Sequence, residues 1–94
     1  MKKSYVYNAE IRPVPEKGGA YVVFPHNIKE VFGRGRLKVT AYFDGVVYKG
    51  SVVNMGVKND DGSVCYIIGI RKDIQKQIGK QPGDTIEVKI IPEL

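Results

Sequence analysis

The sequence has one cysteine, one histidine and no tryptophan among 94 residues. With Cys65 alone no internal disulfide can form. Its apolar surroundings are where a thiol behaves as a small hydrophobe, so a reducing, cytoplasmic setting is expected. The lone His26, between Pro25 and Asn27, has no partner histidine, Cys-X-X-Cys pair or carboxylate cluster at metal-binding spacing, so no metal or other cofactor is expected. Nucleophilic catalysis needs a base and an orienting group. The one conceivable pair, Cys65 with His26, comes from the ends of different units, and the chain does not read as an enzyme. Adjacent Asp60 and Asp61 precede Gly62, where carboxylates ordinarily solvate a turn. Long apolar runs are absent too. Ala20 to Phe24 and Val64 to Ile68 are short, against about 18 to 20 residues for a bilayer span, and the alternation from Ser4 to Glu10 replaces the apolar stretch of an export signal. Neither a membrane segment nor an export signal is expected.

What is present is the balance of a folded domain, 43% hydrophobic and 27% charged, with length for one core and therefore one domain over residues 1–94. The formal charge is +5. Residues 1–50 hold nine Lys and Arg against four Asp and Glu, whereas residues 51–94 hold six of each, so the whole excess lies in the first half. A basic surface gains by releasing counterions from a phosphate backbone, which makes nucleic acid the first partner to consider.

Tyr5, Tyr7, Ala9 and Ile11 alternate with polar neighbours as in a half-buried strand, which Pro13 and Pro15 should end before a turn at Glu16-Lys17-Gly18-Gly19. Ala20 to Phe24 reads as a strand buried on both faces. Asn27 is a good N-cap and Gly33 a good left-handed stop for a short helix whose buried face would hold Ile28, Val31 and Phe32. Leu37, Val39, Ala41 and Phe43 then alternate with polar residues up to Asp44-Gly45, the dipeptide of a two-residue hairpin turn, and the return strand should run from Val46 to about Asn54. A polar turn over Lys58 to Gly62 leads to a central strand at Ser63 to Ile70, with Gly69 a candidate bulge. A second short helix has Ile74 and Ile78 inward and Gly79 at its end. The Gln81-Pro82-Gly83-Asp84 sequence suits a type II turn before a strand at Thr85 to Ile91.

The hairpin turn fixes a register. Phe43 should face Val46 and Leu37 should face Val52 on the inner side, leaving Arg36, Lys38, Tyr42 and Lys49 together outside. Cations beside an aromatic can follow a nucleic-acid backbone and stack a base; a solvated outer face with lysines opposing edge pairing is the plainer alternative. Arg34, in Gly33-Arg34-Gly35-Arg36, follows a helix instead of preceding one, so the segment is no phosphate loop, though Arg34 and Arg36 could still grip an anion. Lys72, Lys76 and Lys80, with Asp73 and Asp84 nearby, read as a solvated helix side.

Tyr21 to Pro25, helix, Gly33 and strand can be set beside Tyr66 to Ile70, helix, Gly79 and strand, with one extra residue before the second helix. Ile28 then matches Ile74, and Leu37 matches Ile86. Two strand-helix-strand repeats within a mainly β chain would bury each other's apolar faces, giving a monomer.

The stretch from Ile70 to Val88, with helix, Pro82-Gly83-Asp84 turn and strand, resembles AbrB/MazE-type swapped-hairpin proteins, which bind DNA as dimers. More widely, Gly33-Arg34-Gly35-Arg36-Leu37-Lys38-Val39, Asp44 to Ser51, Gly69 to Ile74 and Ile78 to Ile86 resemble the small bacterial family called domain of unknown function 1905. That resemblance implies a closed, six-stranded, double-split-like β-barrel with two short helices, and it brings no established activity. Some relatives carry a segment associated with bacteriocin protection, which residues 1–94 are not expected to contain. The leading expectation is a non-enzymatic binding module with nucleic acid as first candidate partner; the alternative is an accessory domain that binds another protein.

Overall fold

The hairpin at Asp44-Gly45 organises the molecule. Asp44 takes a positive φ of 47° and Gly45 one of 88°, and the flanking strands pair from Phe43↔Val46 to Arg36↔Val53 in the register the turn dictates. The computed structural model describes residues 4–14 and 19–93. Its elements are β1 (Tyr5–Glu10), β2 (Arg12–Pro13), β3 (Ala20–Phe24), α1 (Ile28–Phe32), β4 (Arg36–Phe43), β5 (Val46–Lys58), β6 (Val64–Ile70), α2 (Lys72–Ile78) and β7 (Thr85–Pro92). The expected turn at Glu16 to Gly18 lies outside the described residues, although the Val14 N–H donates to the Gly19 carbonyl at 2.9 Å across it.

The strands form one strongly curled, antiparallel half-barrel in the order β1-β7-β4-β5-β6-β3-β2. A closed ring of six was expected, and the difference lies at Ile11. This fully buried residue ties its backbone to the turn before β7, donating to the Asp84 carbonyl and accepting from the Gly83 N–H, each at 2.8 Å. The two residues after it pair with β3 instead, as Arg12↔Tyr21 and Pro13↔Ala20, so Pro13 is the last residue of a second, two-residue strand. Between β1 and β3, side chains take the place of a backbone ladder. Tyr5 packs edge-on to Phe24 with ring centroids 5.5 Å apart, and Tyr7 reaches the same ring at 6.2 Å.

The concave face holds the core. Val22, Phe24, Leu37, Val39, Phe43, Val52, Ile68, Ile86, Val88 and Ile90 are all buried, and Ile28 and Ile74 close it from the helices. Each such side chain contributes about 1.5 to 3 kcal/mol by leaving water, which is why the period-2 pattern dictates the faces so firmly. Four expectations need amending. β3 is not buried on both sides, since Ala20, Val22 and Phe24 are buried while Tyr21 and Val23 are only partly covered. Val31 is 55% exposed, because a five-residue helix offers the core little more than Ile28 and the edge of Phe32. The irregularity in the β5–β6 ladder falls between Asn54 and Lys58, not at Gly69, which pairs regularly with Tyr21. Finally, β7 continues through Pro92, whose partner is Val39.

Both helices end on glycine in the left-handed conformation, Gly33 at φ 70° and Gly79 at φ 69°. Exchanging β1 and β2 with β5, β3 with β6, α1 with α2 and β4 with β7 leaves every neighbour relation in the sheet unchanged. Val22 pairs with Ile68, both inward, so Val22 is matched by Ile68 and Phe24 by Ile70. The match of Tyr21 to Tyr66 is therefore one residue out: it would set an inward side chain against an outward one, and no extra residue precedes α2.

Candidate nucleic-acid interface

Leu37, Val39, Ala41 and Phe43 are fully buried, which forces the intervening residues of β4 to the convex side. There Lys38 lies opposite Ser51, Thr40 opposite Lys49 and Arg36 opposite Val53. Arg36, Lys38 and Lys49 gather around a shallow cleft of about 580 Å³ that Ser51, Val53 and Glu93 also line. Among the described residues the one ion pair is Arg71 with Asp73, at 3.2 Å. The three cations therefore face solvent without a carboxylate bonded to any of them. Glu93 is held by its backbone, donating its N–H to the Lys38 carbonyl at 2.8 Å.

Two of the five sequence-identified residues fall outside the cleft. Arg34 is exposed on the turn after α1, and Tyr42 stands opposite Val47, one row nearer the hairpin turn. Lys89 was not foreseen. Register places it beside Tyr42 across the β4–β7 ladder, with Nζ 5.8 Å from the ring centroid. Sequence patterning could not reveal this neighbour, because β4 and β7 are joined by no turn. Half-buried Tyr48 also lines the cleft of Arg36, Lys38 and Lys49, its ring stacking on buried Phe43 at 6.0 Å.

A second cationic cleft, of about 550 Å³, runs along α2 between Lys72, Lys76 and Lys80. Its floor holds Gln75, buried and donating through Nε2 to the Ile70 carbonyl at 3.2 Å. Of the neighbouring acids, Asp73 pairs with Arg71, while Asp84 itself lines the cleft, its carboxylate accepting from the Gln81 N–H. Lys76, in the last turn of α2, and Lys80, just past its Gly79 stop, sit where positive charge also complements the carbonyl end of the helix dipole, while Lys72 opens the helix.

The other singled-out residues have structural surroundings. His26 packs against Tyr5 at 4.9 Å and Phe24 at 5.3 Å. Burial pushes the Cys65 thiol up in pKa, with the Arg12 charge opposing. Ser63 donates through its hydroxyl and its backbone N–H to the Asp61 carboxylate, holding that group below the usual carboxylate range. Among the described residues, no three His, Cys, Asp or Glu side chains come together as a metal site, and no helix is long and apolar enough to cross a membrane.

A mainly β, strongly curled sheet with two short helices and an open cationic cleft is the class that fold and site define. The chain belongs to the family described as Domain of unknown function (DUF1905), whose model matches residues 7–90. No curated protein matches the chain. Its function is accordingly unknown.

Proposed function

We propose that the protein is a non-enzymatic binding module that holds nucleic acid by its phosphate backbone at Arg36, Lys38 and Lys49. The observation that carries this reading is the convergence of three unpaired cations on one open cleft, which β4 and β5 position rigidly through their ladder. The exposed Val6 and Val47, on the same convex face, favour a protein partner as the second reading. The palindromic strand order and the paired glycine caps support an internal duplication. With Tyr5 to Pro13 counted as one bent strand, the half-barrel becomes a closed ring of six, folding as a single-domain cytoplasmic monomer.

Fluorescence anisotropy with labelled oligonucleotides tests the reading. Three neutralised phosphates give a slope of about −2 to −3 in log affinity against log salt, and replacing Arg36, Lys38 and Lys49 together by Ala removes most of it. Each single replacement should alter folding stability by less than about 0.5 kcal/mol, so lost binding is not lost structure. Binding that survives the triple replacement places the contact elsewhere, with the α2 lysines the next candidates. Absence of binding at the lowest salt retires nucleic acid and leaves the protein partner.

A further inference from the structure

The cleft has a counterpart of opposite charge. Exchange of the two halves carries Lys38 onto Glu87 and Glu93 onto Asp44, and the same bond recurs at both places: Glu93 N–H to Lys38 carbonyl at 2.8 Å, Asp44 N–H to Glu87 carbonyl at 2.9 Å. By the same correspondence Arg36 falls on Thr85, Lys49 on Val6 and Ser51 on Asn8. The convex face therefore runs from a basic end at Arg36, Lys38 and Lys49, past Lys89 beside Tyr42 near its middle, to an acidic end at Glu87 and Asp44, with Glu10 across from Thr85 beyond them.

We infer that the partner is single-stranded nucleic acid, held at the basic end alone; this rests on the reading above. Six residues of β4 and its turn separate Lys38 from Asp44, about 20 Å at about 3.3 Å per residue. At physiological salt the screening length is about 8 Å, so one strand at the basic end is screened from the acidic one. A duplex whose dyad follows that of the molecule behaves differently. Its second backbone, across a major groove about 12 Å wide, comes within about one screening length of Glu87 and Asp44, where phosphate is repelled. Only one end of a two-fold plan can hold phosphate, and a single strand is the form that needs only one.

Matched single-stranded and duplex oligonucleotides, in DNA and RNA forms, titrated against the full chain by anisotropy, provide the test. Expected is single-strand affinity about tenfold or more above duplex at low salt, falling about 20-fold between 50 and 200 mM with a slope near −0.7 per phosphate. Glu87→Lys, an exposed position, should raise duplex affinity severalfold and leave the single strand unmoved; Glu87→Gln, which keeps the backbone bonds to Asp44, should do the same more weakly. Equal affinity for the two forms, or duplex affinity indifferent to both variants, overturns the inference while the cleft reading stands. Binding unaffected by loss of Arg36, Lys38 and Lys49, or absent altogether, overturns the cleft reading itself.

Discussion

The β4–β5 end and the β7–β1 end share one backbone plan and differ in almost every outward side chain. Leu37 and Ile86, and Val39 and Val88, occupy equivalent buried places, while Lys38 and Glu87 occupy equivalent exposed ones with opposite charge. Burial constrains the first set and water leaves the second free. The difference therefore teaches where function can be written on such a fold: on the convex face, without disturbing the ladder beneath.

The sharpest way to break the comparison is to cut the core at equivalent points. Leu37→Ala and Ile86→Ala should each destabilise by about 2 to 5 kcal/mol, read by chemical denaturation, and should agree within about 1 kcal/mol if the halves bear similar loads. A large disparity would mean that one half carries the fold.

The helix stops come next. Gly33→Ala and Gly79→Ala place a Cβ in the left-handed region, at positions where space around the residue is open, so backbone strain is the whole cost. Each should lose about 1 kcal/mol, and the two losses should match.

The smallest effect concerns a place where the halves diverge inside. Tyr7 corresponds to Gly50, over which the Tyr48 ring lies so closely that a Cβ at Gly50 would meet it at 2.5 Å. The Tyr7 hydroxyl is buried with no hydrogen-bond partner among the described residues, and burial pushes its pKa well above the ordinary tyrosine value. The neutral phenol is thus the form the fold accepts. Stability should be full below about pH 10, the unfolded tyrosine value, and fall as pH rises above it. Tyr7→Phe should change stability at neutral pH by under about 1 kcal/mol, without loss, and should flatten part of the alkaline decline. Denaturant midpoints of both proteins at neutral and alkaline pH check this; a clear loss at neutral pH would mean that the hydroxyl is held by a bond.

Much of the fold was legible because its signals are local. Asp44-Gly45 set a register of eight pairs correctly, Asn27 caps α1 by accepting from the N–H groups of Lys29 and Glu30, and Gly33 and Gly79 stop the helices as expected. Arg36, Lys38 and Lys49 could be grouped because they depend on that one turn. What was not legible depended on partners distant in sequence. Tyr42 lies on the outer face as alternation implies, and only the register with β7 sets Lys89 against its ring. Gln75 and its bond to the Ile70 carbonyl were invisible in the helical pattern, which offers no reason to bury an amide.

By itself the sequence determined the faces, since alternation of apolar and polar residues has a single low-energy solution once a turn sets the register. It also determined the helix ends and the excess of positive charge in the first half. Only the tertiary structure decided that Tyr5 to Pro13 bends at Ile11 to serve both ends of the sheet, and that β4 lies against β7. Those pairings rest on backbone groups that every residue carries, so side-chain identity cannot specify them until the whole core is assembled. From them follows the placing of Lys38 and Glu87 at opposite ends of one face.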